Sequence, residues 1–129
     1  MKCLQKLSPH ENILSLHDVI LDGSTLYLVL EFMQCDLSEL MRRGNGRPFS
    51  EQEVRNFCFQ ILKGLLHMHN QGFCHRDLKP ENLLVRRDVV KIADFGLAKN
   101  LLVDSNKPLQ SYVGTRPYRA PELLLRSTH

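Results

Sequence analysis

The run His75-Arg76-Asp77-Leu78-Lys79-Pro80-Glu81-Asn82 brings a carboxylate, an ammonium and an amide within six positions. It lies between the end of an amphipathic segment and a strand-like run, and a turn there can aim all three side chains at one point. Phosphoryl transfer uses such a set: a carboxylate to orient the attacking hydroxyl, a cation to offset charge on the moving phosphoryl, and an amide oxygen to hold a metal ion. Asp77, Lys79 and Asn82 fit those three roles.

A second carboxylate stands twelve residues beyond Asn82, in Asp94-Phe95-Gly96. Alone, that tripeptide reads as a turn after a strand. The eight-residue run, however, resembles the catalytic loop H-R-D-x-K-x-x-N of the protein kinase superfamily, serine/threonine branch, and matches it at every fixed position. The resemblance implies that Asp94 holds the magnesium ions bridging the ATP phosphates, that Asn82 shares one of them, and that Lys79 marks an aliphatic hydroxyl acceptor. It assigns His75 and Phe95 to packing rather than chemistry.

Further residues follow the same pattern. Ala120-Pro121-Glu122 resembles the triplet that closes the kinase activation segment, and residues 115–122 resemble T-R-W-Y-R-A-P-E, a form typical of cyclin-dependent and mitogen-activated kinases. Thr115 is then expected to bond to Asp77 and Lys79. Leu28-Val29-Leu30-Glu31-Phe32-Met33 resembles the last small-lobe strand running into the hinge. This implies that the Glu31 carbonyl and Met33 amide meet the adenine edge, that Leu30 guards the pocket behind it, and that Leu84 and Ala93 floor it. Asp36 matches a ribose-contacting position, and has a rival role as cap of the following helix. Two departures stand out. Pro117 replaces an aromatic, removing a backbone donor and fixing φ in the peptide-binding floor. Gln110-Ser111-Tyr112 stands where mitogen-activated and germ-cell kinases carry T-x-Y, so the first phospho-acceptor is missing. Ser111 or Tyr112 remains for an upstream activating kinase, with Arg76, Lys99, Arg116 and Arg119 as cations for a phosphate or as plain surface charges.

These groups must be held by elements that the pattern also predicts. Residues 1–7 read as the tail of a helix stopped at Ser8-Pro9. Residues 13–21 and 25–32 read as an antiparallel hairpin turning at Asp22-Gly23-Ser24. Residues 36–43 form a short helix. Ser50 caps a long helix supported by Glu53 and ended by Gly72. Within it Val54, Phe57, Cys58, Ile61, Leu62, Leu65 and Leu66 predict one buried stripe, with Arg55, Gln60 and Lys63 off it. Residues 83–85 and 89–92 read as strands joined by Arg86-Arg87-Asp88, and 94–119 as a long irregular segment with a functional role.

Composition narrows the classes. With 17 basic and 14 acidic side chains the net charge is +3, and the basic residues are scattered, so no nucleic-acid stripe is expected. Cys3, Cys35, Cys58 and Cys74 show no C-x-x-C pairing and are expected to be reduced, mostly buried thiols. His67 and His69, two apart on a helix, cannot share a metal. No apolar run suggests a leader or a membrane span, so a soluble cytoplasmic and/or nuclear protein is expected.

The expected fold is α+β: a truncated, bilobal protein kinase-like arrangement. Residues 1–30 would be the remnant of a small lobe, 31–36 the hinge, and 37–129 a partial large lobe. The expected function is transfer of the ATP γ-phosphoryl to a protein serine or threonine, with ATP and magnesium as cofactors and a protein as substrate. A kinase domain runs to roughly twice this length, and the glycine-rich loop, the V-A-I-K lysine and its helix glutamate find no counterpart here. The alternative is therefore an inactive truncated fragment acting as a binding or interfering module.

Overall fold

In a computed structural model of the chain, residues 2–44, 47–102 and 114–125 are described below. The architecture is α+β, as expected. Helix α1 (Lys2–Leu7) leads into the hairpin of β1 (Leu16–Asp22) and β2 (Thr25–Leu30), with Asp22 opposite Thr25 at the turn. A two-residue strand β3 (Cys35–Asp36) precedes α2 (Leu37–Arg43), and α3 (Glu51–Asn70) follows. Then come β4 (Phe73–Cys74), β5 (Leu83–Arg86), β6 (Val89–Ile92), β7 (Lys99–Asn100) and α4 (Pro121–Leu124). Strand β5 lies between β3 and β6, all antiparallel, while β7 pairs with β4.

The expected start of the long helix holds in detail. The Ser50 hydroxyl accepts from the Glu53 amide, and the Glu53 carboxylate accepts from the Ser50 amide at 2.7 Å, a reciprocal capping box. Beyond the last turn, Gly72 takes φ +76°, a conformation that glycine adopts without steric cost.

Three expectations are corrected. First, the hairpin begins at Leu16 rather than residue 13 and ends at Leu30. Ile13 and Leu14 instead sit in the core, where Ile13 forms a parallel bridge to Ile92 and the Leu14 amide donates to the Ile92 carbonyl at 2.9 Å. Second, the buried face of α3 is Phe57, Gly64 and Met68, with Ile61 and Leu65 half-buried; Val54, Cys58, Leu62 and Leu66 are exposed. The predicted stripe counted only apolar side chains. The helix actually approaches β6 along Gln60 and Gly64: Gln60 Oε1 accepts from the Val90 amide at 2.9 Å, and Gln60 Nε2 donates to the Asp88 carbonyl at 2.6 Å. Third, Cys58 is exposed and the other three cysteines are half-buried, so none is fully in the core.

The core itself joins Leu4 and Leu7 of α1, Ile13, Leu37, Phe57, Met68, Phe73 and the inward residues of β5 and β6, Leu83, Val85, Val90 and Ile92. Alternation along β5 and β6 accounts for that inward set. The segment after Asp94 carries, in its described parts, short 3-10 turns at Phe95–Leu97 and Arg116–Tyr118 as well as β7. Pro117 lies in the second of these turns, where an N-terminal amide has no intrahelical partner to lose. Among the described residues, no helix is long and apolar enough to cross a membrane, and no cluster of metal ligands built from His, Cys, Asp and Glu is present.

Candidate active site

Residues 75–82 hang between the end of β4 and the start of β5. Arg76, with φ +68°, turns the chain, and its Nε donates to the Leu97 carbonyl at 2.6 Å. A left-handed arginine is strained, and the surrounding bonds hold it. His75 is buried beneath the loop. Its Nε2 bonds to the Ala93 carbonyl at 2.8 Å, and its Nδ1 accepts from the Asp77 amide at 3.2 Å. These two bonds define a neutral ring protonated on Nε2. Phe95 meets the same ring edge-on, with centroids 5.5 Å apart. The packing roles expected for His75 and Phe95 are thus observed, and His75 additionally orients Asp77.

Around the Asp77 carboxylate the structure brings Lys79, Asn82 and Thr115 together. Oδ1 accepts from the Thr115 amide at 2.6 Å and from its hydroxyl at 2.7 Å. Lys79 Nζ donates to Thr115 Oγ1 at 2.8 Å and lies 3.0 Å from Asp77 Oδ2. Asn82 Nδ2 donates to the Asp77 carbonyl at 2.8 Å and to Oδ2 at 3.3 Å. Burial alone would raise the Asp77 carboxyl, but the bonds from Thr115 and Lys79 outweigh it and hold it at about 2. The same contact with Asp77 raises the Lys79 ammonium. The pair is therefore fully charged at neutral pH.

Asp94 stands one residue past Ala93, whose amide donates to the Asn82 carbonyl at 2.9 Å. That bond ties the strand end carrying Asp94 to the loop carrying Asn82. Asp94 has φ +57°, and its Oδ1 accepts from the Gly96 amide at 3.2 Å, closing a small turn that leaves the side chain exposed. Because Asn82 Nδ2 is spent twice on Asp77, the amide oxygen Oδ1 is the atom left for a cation. An amide oxygen and a carboxylate are the donors a hard divalent ion prefers.

The residues expected to form the hinge are placed as follows. Leu30 lines a cavity of about 310 Å³ together with Leu4, Leu14, Leu28 and the Asp94-Phe95-Gly96 turn. The Gln34 amide donates to the Val85 carbonyl at 3.1 Å, and Asp36 pairs with Leu84 across β3 and β5, with Leu84 half-buried and Ala93 buried. Met33 is half-buried. The cap role of Asp36 is realised, since its Oδ1 accepts from the Glu39 amide at 2.7 Å. Ser111 and Tyr112 lie outside the described residues.

Two features escaped the sequence reading. Gly114 takes φ +88°, and a Cβ there would fall 2.5 Å from the Arg76 carbonyl oxygen, so only glycine lets the segment before Thr115 lie against the loop. The Glu31 side chain forms an ion pair with Lys91. No local pattern announces either one, because both are contacts between segments distant in sequence.

A model of the protein kinase domain matches residues 1–129, the whole chain. Cyclin-dependent kinase F-4 of Oryza sativa subsp. japonica is 52% identical over 128 residues, covering 99% of this chain and 27% of that protein. Serine/threonine-protein kinase MAK of Mus musculus is 50% identical, covering 99% and 20%, and the MAPK/MAK/MRK overlapping kinase of Mus musculus is 45% identical, covering 97% and 30%. The chain thus spans less than a third of the length of these curated relatives. A family match running from its first residue to its last means that the chain belongs to the protein kinase family, within the serine/threonine group related to cyclin-dependent and MAK kinases.

Proposed function

We propose that this chain carries the catalytic loop, metal-binding motif and end of the activation segment of an ATP-dependent kinase that phosphorylates serine or threonine in a protein. The observation that carries this reading is the Asp77 carboxylate held ionised by Lys79 and Thr115, with Asn82 Nδ2 also donating to it. In it, Asp77 orients the acceptor hydroxyl and Lys79 offsets charge on the moving phosphoryl group. Thr115 holds both in place. Asn82 Oδ1 and Asp94 hold magnesium, which when bound would neutralise the ATP phosphates. The Glu31 carbonyl and Met33 amide take the adenine edge, over Leu84 and Ala93. Any ribose contact by Asp36 falls to Oδ2, since Oδ1 serves the helix cap. The chain then divides into small-lobe residues 1–30, a hinge at 31–36 and large-lobe residues 37–129, with a cytoplasmic or nuclear location and an upstream kinase as a further partner. The relatives' names favour this reading over that of an inactive interfering module.

The test uses the longest reading frame that contains this segment. Asp77→Asn is expected to lower turnover by about a thousandfold while Mg-ATP binding survives, and Asp94→Ala to weaken Mg-ATP binding itself. Near-normal turnover in Asp77→Asn, or unchanged calorimetric affinity in Asp94→Ala, would overturn the assignment.

A further inference from the structure

The Glu31 side chain lies at the junction of β2 and the segment before β1. Its Oε1 accepts from the Ser15 amide at 2.6 Å and from Lys91 Nζ at 2.8 Å, and both charged side chains are only 12% exposed. Burial acts to raise the Glu31 carboxyl, yet the Lys91 and Ser15 bonds outweigh it and the group is lowered. Lys91 Nζ also reaches the Ile13 carbonyl at 3.5 Å, and the Glu31 amide donates to the Ser15 carbonyl at 3.0 Å. Residues 12–15 are in turn stitched to β6, with the Ile92 amide on the Asn12 carbonyl and the Leu14 amide on the Ile92 carbonyl, each at 2.9 Å.

A buried ion pair is a poor device for stability, because apolar side chains of equal volume serve as well without desolvating two charges. It does fix a distance and a direction between two backbone segments. Here those segments are the strand end at Glu31, whose carbonyl is assigned to adenine, and β6, which reaches Asp94 three residues after Lys91. We propose that Lys91 and Glu31 are positioning residues that set the spacing between the adenine edge and the magnesium ligand, and so tune affinity for a magnesium-bound purine nucleoside triphosphate. The proposal rests on the kinase reading given above. Neither side chain touches the reacting atoms, so the pair acts on nucleotide binding and leaves the chemical step alone.

Four forms of the full reading frame test it: wild type, Lys91→Arg, Lys91→Met, and Lys91→Met combined with Glu31→Gln. Lys91→Met leaves a buried carboxylate without its cation, so it is expected to lower the unfolding temperature and to raise KM and Kd for Mg-ATP about tenfold, with kcat within about twofold of wild type. Lys91→Arg retains a cation and is expected to keep affinity within about threefold. The double variant discriminates between roles. Removing both charges restores thermal stability, while Mg-ATP affinity stays about tenfold weak because the spacing is no longer fixed. Should Lys91→Met fail to fold, the double variant alone carries the test. Affinity unchanged in Lys91→Met, or recovering in step with stability in the double variant, would overturn the positioning role. Absence of Mg-ATP binding in the wild type would instead overturn the kinase reading and the proposal with it.

Discussion

Thr115 closes on Asp77 through two hydrogen bonds to one carboxylate oxygen, the amide at 2.6 Å and the hydroxyl at 2.7 Å. Thr115 is thereby docked on the loop that carries Asp77, Lys79 and Asn82. The hydroxyl also accepts from Lys79, so a single side chain bonds to both members of the direct Asp77–Lys79 ion pair and restrains both rotamers.

Replacing Thr115 by valine keeps the shape and the amide bond but removes the bridge. One hydrogen bond to a charged group is worth about 1.5–3 kcal/mol, so turnover is expected to fall roughly ten- to hundredfold in the full reading frame. Thr115→Ser keeps the hydroxyl and is expected to stay within about threefold of wild type. Steady-state phosphotransfer at saturating ATP measures both. Equal activity in the valine and serine variants would mean that the amide alone positions Asp77.

The pH dependence of stability follows from His75. Burial, the largest influence on this ring, lowers it from the ordinary 6.5, against the raising effects of its bond to the Ala93 carbonyl and of Asp77 and Asp94. Below 6.5 the unfolded chain already binds a proton that the folded ring still refuses. Stability from this group is therefore complete above 6.5 and drains away as pH falls through the lower folded value, at up to about 1.4 kcal/mol per pH unit. Protonating Nδ1 also displaces the Asp77 amide. Urea unfolding across pH 7.5 to 4.5 is expected to show a steeper acid loss in wild type than in His75→Phe, which keeps an aromatic ring against Phe95 but does not titrate. Parallel curves would count against a neutral buried His75.

Much of this site could be read along the chain because its parts are local. Asp77, Lys79 and Asn82 fall within six positions, and Asp94 follows two residues after β6, whose Val89, Val90 and Ile92 read as a strand. Ser50 and Glu53 announced their helix start by spacing alone. What could not be read lies between segments. The facing side of α3 depended on Gly64 and Gln60, a missing side chain and a polar one, whereas periodicity weighs only apolar residues. Ile13 and Leu14 looked like strand residues and became core, because their partner is Ile92, nearly eighty positions away. The Glu31–Lys91 pair lay hidden for the same reason: a glutamate just past β2 and a lysine before Asp94 are each ordinary surface residues until the fold joins them.

Gly64 offers the sharpest test of that hidden packing. A Cβ at this position would fall 2.8 Å from the Asn12 carbonyl oxygen and 2.9 Å from Ile92 Cδ1, both closer than ordinary contact. The isoleucine tip can rotate, but the Asn12 carbonyl cannot easily retreat, because it accepts from the Ile92 amide at 2.9 Å. The Asn12 side chain restrains it further, with Nδ2 donating to Gln60 Oε1 at 3.0 Å and to the Val90 carbonyl at 2.9 Å. Two effects oppose each other in Gly64→Ala. Alanine gains about 1 kcal/mol in a helix interior, while overpacking a close contact costs about 1–3 kcal/mol. With backbone on the other side of the clash the second effect is expected to prevail, for a net loss of about 1 kcal/mol and a fall of several degrees in the unfolding temperature. The strain should also be local. Amide hydrogen exchange at Ile92 and Leu14, the two bonds flanking the clash, is expected to accelerate more than exchange at Val85, which lies across the sheet on β5. A stabilised Gly64→Ala, or exchange raised evenly over both strands, would show that α3 does not press on Asn12 at this point.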